Sequence, residues 1–535
     1  MGSKKTWILS FLGVLGLAGI LALAIILNNQ APEQSSGSSS QTSDGTLDID
    51  NGDLKIDWSR YSKYELDLSA SSTIAKAGVY HVTGELDGSP LIINAGEDKV
   101  KIILDNVTIK NSTGPAIACY SADDLVVELV GENILRDGNK YDSTYDDDVK
   151  GAIYSKADLT FGGSGSLILT ANYQDGIVSK DDLKFNSGNF TITAADDAIR
   201  GKDSVYIVDG DFNITSRSDA IKSTNDSKAG KGFVLIENGH IKIAAGDDAI
   251  HAETSLLIYD GNIDITKSYE GLEASQIVIN SGTVSIVSSD DGINAASGAT
   301  DTTTQNTMGG PGGPGGMGGG MGDTNENNLI SINGGTIYIN ASGDGIDSNG
   351  YIYINGGLVT VDGPTDNGNG ALDAGLGIIA KGGTLIAVGA SGMAEAPNNS
   401  STISSVSIFF DANLPAGTKV KIKDSDGTTI LRHTSAKSFN HMVATTADFA
   451  TGETYTIYID DSVYDEFTIS DVTTVVGNGG NNFNNNFAPG QGGPGGQNIQ
   501  DAPGAQGGPS ATDSATPPDF PDGATPPDGN APMFR

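Results

Sequence analysis

The sequence is poor in the residues on which several common kinds of functional site depend. It holds one cysteine, Cys119, and five histidines in 535 residues. A single cysteine excludes an internal disulfide framework and every multi-cysteine metal site, and five histidines leave little room for zinc or for histidine-based catalysis. Basic residues are also scarce, because 30 lysines and arginines stand against 67 acidic residues, for a formal charge of −37. That balance argues against a nucleic-acid partner, since phosphate binding requires clustered basic residues.

Aromatic residues make up only 6% of the chain, whereas glycine, with 73 residues, occurs at roughly twice its usual frequency. Charged residues are 18% and hydrophobic residues 37%, so the chain is not a solvated acidic polymer and should bury a sizeable core. The glycine excess favours many tight turns over packed helices.

The N-terminus has the character of a membrane-targeting segment. Lys4 and Lys5 precede an uncharged apolar run of 21 residues from Trp7 to Leu27. At about 1.5 Å per residue, this run is long enough for a bilayer core of about 30 Å. We expect residues 1–27 to be a signal anchor, or alternatively a cleaved signal peptide, with its basic flank in the cytoplasm. Residues 28–46 then form a flexible linker, and the protein is either on the extracellular face of the cell membrane or secreted.

Two further segments are compositionally biased. Residues 477–535 are rich in proline, glycine and asparagine and lack the apolar pattern that would offset the entropy of ordering them. We predict that this tail is disordered. A glycine-rich insertion at about 298–328 interrupts the middle of the chain.

Between 183 and 357 the sequence repeats itself. Six segments align without gaps, and in each the terminal Ile or Leu lies eleven positions after a turn glycine. The terminal residues are Ile199, Ile221, Ile250, Leu272, Ile293 and Ile346. Weaker copies end at Ile117, Ile153, Ile177 and Leu372, so the array runs from roughly 91 to 390.

Each repeat contains two runs of alternating apolar residues, separated by Asn-Gly, Asp-Gly or Ser-Gly, which predicts strands rather than helices. A unit could be a β-hairpin. A coil of a parallel β-helix explains more, because a small residue follows two positions after each terminal residue and insertions fall between units. We predict an all-β protein: a parallel β-helix over 47–400 with coils of about 22 residues, followed by a small antiparallel β domain at 401–476. Roughly twelve coils at about 4.8 Å give a solenoid of about 58 Å.

An acidic residue lies two positions before most terminal residues. These acids are Asp175, Asp197, Asp219, Asp248, Glu270, Asp291 and Asp344. In a solenoid they would stack about 4.8 Å apart, and two charges at that distance repel by roughly 3 kcal/mol at an effective dielectric constant of 20. Protonation, rotation into water or a hard cation such as Ca²⁺ would relieve the repulsion.

Further oxygen ligands flank these acids. Asp196, Asp247 and Asp290 precede them, and Glu273, Asn294, Asp347 and Asp373 follow the terminal residues. All of these residues are candidate metal ligands, although each Asp could instead serve only to form a turn. Tyr173 and Tyr269 lie beside the acids and are candidate sugar-stacking residues, or ordinary exposed tyrosines.

The repeated Asp-Asp-Gly-Ile and Asp-Gly-Ile segments, the glycine-rich insertion and the acidic composition resemble a family of secreted bacterial carbohydrate-binding proteins. Its members are right-handed parallel β-helices related in fold to pectate lyases, and the resemblance covers about 45–476. It implies a right-handed solenoid, Ca²⁺ bound between coils, and non-catalytic binding of cellulose or acidic pectin-like glycans.

Three functions remain open at this stage. The first is calcium-dependent binding of an extracellular polysaccharide by a monomer. The second is a polysaccharide lyase or glycosidase on the same fold, for which Arg200, Arg217 or Lys222 could supply the base. The third is a structural surface spacer or adhesin in which calcium only stiffens the solenoid.

Overall fold

The computed structural model of the protein describes residues 47–49, 56–69, 72–296 and 324–478. The predicted signal anchor and linker, most of the predicted insertion and nearly all of the predicted tail lie outside these residues. Apart from a short 3-10 helix at Trp58–Arg60, the secondary structure of the described residues consists of β-strands. None of the helical structure found there is long and apolar enough to cross a membrane.

Three ladders of parallel strands, here called A, B and C, form the body of the protein, and the chain visits them in the order A, B, C in each coil. Ladder A contains β1 Lys63–Asp67, β3 Gly78–Thr83, β6 Val100–Asp105, β9 Asp124–Val130, β12 Asp158–Gly163, β15 Asp182–Phe185, β18 Ser204–Ile207, β21 Phe233–Ile236, the second halves of β23 Ile250–Ile258 and β25 Leu272–Ile279, β28 Leu329–Ile332, β31 Tyr351–Ile354 and β34 Gly377–Ala380.

Ladder B contains β4 Glu85–Asp87, β7 Thr108–Lys110, β10 Glu132–Arg136, β13 Ser166–Ala171, β16 Asn189–Ala194, β19 Asp211–Thr215, β22 His240–Ala244, β24 Asn262–Ser268, β26 Thr283–Ser288, β29 Thr336–Ala341, β32 Leu358–Asp362 and β35 Thr384–Gly389. Ladder C contains β2 Thr73–Ile74, β5 Leu91–Asn94, β8 Ile117–Ser121, β11 Gly151–Ser155, β14 Asp175–Ser179, β17 Ile199–Gly201, β20 Ile221–Ser223, the first halves of β23 and β25, β27 Ile293–Ala295, β30 Ile346–Ser348 and β33 Leu372–Ala374.

The terminal residues of the sequence repeats are direct neighbours in ladder C. Ile177 pairs with Ile199, Ile199 with Ile221, and the register continues without a slip at this position to Leu372. A hairpin would have paired strands of one repeat antiparallel, whereas these pairs are parallel and join successive repeats. The predicted all-β parallel β-helix is therefore confirmed.

The interior explains why the repeat conserves its pattern along the chain. The stacked Ile and Leu side chains are fully buried, and the small residues two positions later, such as Ser179 and Ala252, are buried beside them. Glycines form a second stack at the bend between ladders A and B. At Gly282, φ is 93°, and a Cβ atom would lie 2.6 Å from the carbonyl oxygen of Gly261 in the preceding coil. A side chain there would collide with the neighbouring coil.

The residues after the solenoid form β36 Ser405–Leu414, β37 Lys419–Lys423, β38 Thr429–Thr434, β39 Phe439–Thr446, β40 Thr454–Ile459, β41 Ser462–Thr468 and β42 Thr473–Val476. Strand β39 pairs antiparallel with β35 and so continues ladder B beyond its last coil. Strands β37, β38, β40 and β41 form a separate antiparallel sheet. This arrangement covers the edge of ladder B that would otherwise be open.

A buried network joins this C-terminal region to the solenoid. Asp362, at the end of β32, accepts hydrogen bonds from His433 Nε2 at 2.7 Å and from the Tyr338 hydroxyl at 2.9 Å. Its side chain is 1% exposed, and these bonds lower its pKa although burial alone would raise it. A buried carboxylate with such partners fixes the contact between the two regions.

Candidate functional site

The predicted acidic residues lie at the bend between ladders B and C, where they form a continuous file that we call the acidic column. Its members are Asp175, Asp197, Asp219, Asp248, Glu270, Asp291 and Asp344. The carboxylates of the column accept hydrogen bonds from backbone N–H groups of the next coil. Asp197 Oδ1 accepts the backbone N–H of Asp219 at 3.2 Å, and Asp219 Oδ1 accepts that of Asp248 at 3.0 Å. These bonds join successive coils rather than residues of one turn, so the column acids help to hold the coils together.

The same bond recurs further along. Asp291 Oδ1 accepts the N–H of Asp344 at 2.6 Å, and Asp344 Oδ1 accepts that of Gly370 at 2.5 Å. Each of these bonds uses one oxygen of a carboxylate that has two. The second oxygen of each carboxylate faces a neighbouring side chain, and the charge of that side chain changes along the solenoid.

The change is set by the residues that directly follow the terminal Ile or Leu of each repeat, which we call the outer row. They pair in register from one coil to the next in the order Arg200, Lys222, His251, Glu273, Asn294, Asp347, Asp373. The first three are basic or can carry a positive charge, and the last four are acidic or neutral. The outer row therefore reverses its charge between His251 and Glu273.

In the basic half, the protein neutralises its own column. Arg200 Nη1 lies 3.3 Å from Asp175 Oδ2 and 4.0 Å from Asp197 Oδ2. Lys222 Nζ lies 2.5 Å from Asp219 Oδ2. Burial would lower the pKa of Lys222, but this ion pair raises it instead. Each of these carboxylates has a side-chain cation within 4.0 Å, although burial and the neighbouring Asp219 still raise the pKa of Asp197 to about 6.

His251 is the last cation of the series and contacts two acids. Its Nδ1 lies 3.3 Å from Asp248 Oδ2 and also contacts Glu273 Oε2. Burial alone would lower the pKa of His251, but the bonds to Asp248 and Glu273 raise it to about 10. At neutral pH the imidazole is therefore protonated and sits where the outer row changes sign.

Beyond His251, carboxylates face one another. Oxygen atoms of Asp291, Asp344 and Asp347 lie within 4.8 Å of one another, and Asp347 pairs in register with Asp373 of the next coil. Burial, followed by repulsion from neighbouring acids, raises the pKa of Asp291 to about 6, that of Asp344 to about 7 and that of Asp347 to about 8. Among the described residues, no Lys, Arg or His forms an ion pair with these three. We call Asp291, Asp344 and Asp347 the carboxylate cluster.

Two features around the cluster fit a cation that prefers oxygen ligands. Asn294 donates Nδ2 to Glu270 Oε2 at 2.9 Å, while its buried Oδ1 has no hydrogen-bond partner within the described residues. At Gly343, a Cβ atom would lie 2.4 Å from both Asp290 Oδ1 and Asp291 Oδ1. The absent side chain lets two carboxylates from the preceding coil converge. Ca²⁺ takes six to eight oxygen ligands in irregular geometry, and this donor set suits it.

The structure thus brings together only part of the predicted metal-ligand set. Asp291, Asp344 and Asp347, with Asp290, Asn294 and Asp373 next to them, form one group without a basic partner among the described residues. Asp248, Glu270 and Glu273 form a second group, but His251 occupies part of it. Asp175, Asp197 and Asp219 are paired with Arg200 or Lys222, and Asp196 and Asp247 lie on the solvent side of the column.

Two sets of acids were not anticipated from the sequence. Glu395 follows the last coil, accepts the backbone N–H of Ala374 at 3.0 Å, and has its pKa raised to about 8 by burial and by Asp373. It extends the cluster from a segment outside the repeat, where no periodic signal marks it. Asp158, Asp181 and Asp182 converge where ladder C leads into ladder A, and Lys231 lies 3.0 Å from Asp182.

The two predicted tyrosines lie beside the column. Tyr173 is 37% exposed and Tyr269 is 47% exposed, and they are the only exposed aromatic side chains among the described residues. The Tyr173 ring stacks on Tyr141 with centroids 4.4 Å apart. The nearby Asp290 carboxylate is the main reason that the pKa of Tyr269 rises to about 12.

The family model and the known proteins described here have names that refer to carbohydrates or polysaccharides. A family model described as "carbohydrate-binding domain-containing protein" matches residues 69–309. A protein of that description from Acetivibrio thermocellus is 32% identical over 126 residues, which are 23% of this chain and 44% of the relative. The chain thus spans less than half of that relative. A solved structure of a polysaccharide lyase-like protein from C. thermocellum is 34% identical, covers 36% of this chain and 80% of its own, and gives a TM-score of 0.36.

Proposed function

We propose that the protein binds an acidic extracellular polysaccharide through a Ca²⁺ ion held at the carboxylate cluster. The observation that carries the proposal is the charge reversal of the outer row. Coils whose outer row is basic place a side-chain cation beside their column acids, whereas the coils of Asp291, Asp344 and Asp347 place none there among the described residues. A divalent cation supplies the missing positive charge in the second case. The match of residues 69–309 to a carbohydrate-binding family supports a glycan as the ligand.

A cation at this position would do more than neutralise the cluster. The protein has a net charge of −37, so it repels a polyuronate at long range. A Ca²⁺ ion with protein oxygens on one side can accept sugar carboxylates in its remaining coordination positions. Acidic pectin-like glycans are therefore the preferred ligand class, and binding should disappear when the cation is removed.

The matched test uses the substitution Asp347→Lys. In the coil of Asp219, the outer-row position holds Lys222, which pairs with the column acid. A lysine at position 347 should pair with Asp344 in the same way and keep the coil folded without a metal ion. We expect wild-type protein to bind polygalacturonate in CaCl₂ and not in EDTA, and the D347K variant to bind in neither, at an unchanged melting temperature in EDTA. Equal binding by wild type with and without EDTA would contradict the proposal.

A lyase on the same fold is the second candidate, and the structure gives a reason against two of its three candidate bases. A lyase needs a base that can accept a proton from the carbon next to the sugar carboxylate. Lys222 is held in its charged form by Asp219, and Arg200 is engaged by Asp175. Incubation with polygalacturonate should therefore produce no ultraviolet-absorbing unsaturated uronate. Appearance of that product with wild type would favour the enzyme.

The third candidate, a structural spacer stiffened by calcium, predicts the same stabilisation by Ca²⁺ but no glycan binding under any condition. We place the protein on the extracellular face of the membrane or in secreted form, where millimolar calcium is available and polysaccharide is accessible. Detection of the protein on intact cells by an antibody, before and after protease treatment, tests this location.

A further inference from the structure

We propose that the edge bearing the acidic column is a track for a glycan chain lying parallel to the solenoid axis, with Tyr173 and Tyr269 as two cation-independent stacking subsites. This inference extends the proposed function, because it adds a neutral-sugar contribution beside the metal site. It rests on the proposal that the ligand is a polysaccharide.

Both exposed aromatic side chains of the described residues lie on this one edge. Tyr173 is two residues before Asp175, and Tyr269 is directly before Glu270. The coils of Ile177 and Leu272 are four steps apart in ladder C, which is about 19 Å at about 4.8 Å per coil. Aromatic residues make up only 6% of the chain, and no other exposed Phe, Tyr or Trp occurs among the described residues.

Tyr173 belongs to a rigid aromatic platform. Its ring stacks on Tyr141, and Tyr141 in turn packs against Tyr145 with centroids 5.7 Å apart. The Tyr141 hydroxyl donates to Asp137 Oδ2 at 2.9 Å and lies 3.0 Å from the carbonyl oxygen of Gly151. Tyr145 sits against Gly114, where a Cβ atom would lie 2.4 Å from its ring. The rings are fixed before any ligand arrives, so little conformational entropy is lost on binding.

Tyr269 connects the track to the carboxylate cluster. The backbone N–H of Asp290 donates to the Tyr269 carbonyl oxygen at 2.9 Å, and Asp290 Oδ1 converges with Asp291 Oδ1 at Gly343. A sugar ring stacked on Tyr269 would therefore have its next neighbour within reach of the cation. Between the two tyrosines the edge presents polar groups such as Asp196 and Asp247, which can hydrogen-bond to sugar hydroxyls.

The ligand that fits this edge is a chain of several hexopyranose rings whose apolar faces stack on tyrosine. Two stacking subsites about 19 Å apart require a chain long enough to reach both, so affinity should rise with chain length. A neutral glucan that lacks carboxylates should still bind in EDTA through the tyrosines alone. A polyuronate should use the cation as well.

The test is calorimetric titration of EDTA-treated protein with cellohexaose and cellobiose. We expect cellohexaose to bind at least tenfold more tightly than cellobiose. The variants Y173A and Y269A should each weaken cellohexaose binding by about 3- to 10-fold, since an aromatic contact contributes about 0.5–1.5 kcal/mol. The double variant should lose about the product of the two effects, because the sites are far apart. Y173F and Y269F should bind as wild type, because the ring makes the contact.

The control is Y458A, which removes a half-exposed tyrosine of the C-terminal sheet that lies over Lys423 and should leave binding unchanged. Melting temperatures identify any variant that is unfolded, and Y269A alone still tests the track if Y173A disturbs the Tyr141 platform. No cellohexaose binding, equal losses in the Phe and Ala variants, or no loss in the Ala variants would overturn the inference. If polygalacturonate still binds in CaCl₂, only the track fails. If neither glycan binds, the proposed function fails with it.

Discussion

Calcium binding at the carboxylate cluster should release protons, and the structure sets how many. Three carboxylates within 4.8 Å would repel by about 3.5 kcal/mol per ionised pair at an effective dielectric constant of 20. With pKa values of about 6 for Asp291, 7 for Asp344 and 8 for Asp347, they hold about 0.1, 0.5 and 0.9 proton at pH 7. A cation that binds the ionised forms therefore displaces about 1.5 protons.

This displacement gives the calcium affinity a defined pH dependence. At pH 7 the association constant should rise by about 30-fold per pH unit, and it should level off above about pH 9, where the three groups are ionised. Titration of EDTA-treated protein with CaCl₂ in two buffers of different ionisation enthalpy measures the released protons directly. An affinity that does not change between pH 6 and pH 8 would refute the reasoning. The D347K variant is the control and should show no binding heat.

Three further predictions concern stability and site geometry. In EDTA, the melting temperature should fall as the pH rises from about 4 to about 8. The raised pKa values of Asp291, Asp344 and Asp347 make the folded state hold protons that the unfolded state has lost. Saturating Ca²⁺ should remove this trend. The G343A substitution should lower the calcium affinity at least tenfold in the CaCl₂ titration, because the added Cβ would force Asp290 and Asp291 apart. An unchanged affinity would contradict the proposed ligand geometry. The D362N substitution should lower the free energy of unfolding in urea by about 2–4 kcal/mol through its bonds to His433 and Tyr338, whereas D411N, at an exposed position, should change it by less than about 0.5 kcal/mol.

The fold could be predicted from the sequence because every coil requires the same residue types at the same spacing. A buried Ile or Leu, a small residue two positions later and a glycine at the bend recur at fixed spacing, and all three stack in the structure. The junction with the C-terminal region could not be predicted in the same way. The antiparallel pairing of β39 with β35 and the bond between Asp362 and His433 join segments far apart in sequence, and neither repeats.

The site was partly visible. Stacking of the acidic column follows from the repeat, but whether an acid has a basic partner depends on the outer row, whose members lie three positions after the column acid of their own coil. Arg200, Lys222 and His251 occur in the sequence at that spacing, so the repeat also predicts that they stack as a second column beside the acids. Glu395 could not have been found, because it reaches the cluster from a segment without the repeat. Asp158, Asp181 and Asp182 come from the other bend, where their convergence depends on the path of the chain between ladders C and A.

The 53 positions between Ile293 and Ile346 have a practical consequence. From Ile177 to Ile293, neighbouring coils are separated by 21 to 29 positions, and Ile293 and Ile346 still pair in register, as do Asn294 and Asp347. The two coils therefore make the same contact as other neighbouring coils although a longer segment links them. Foreign sequence, such as a fluorescent reporter or an affinity tag, could be exchanged for the glycine-rich stretch, which would place a probe beside the carboxylate cluster while the coils on either side remain stacked.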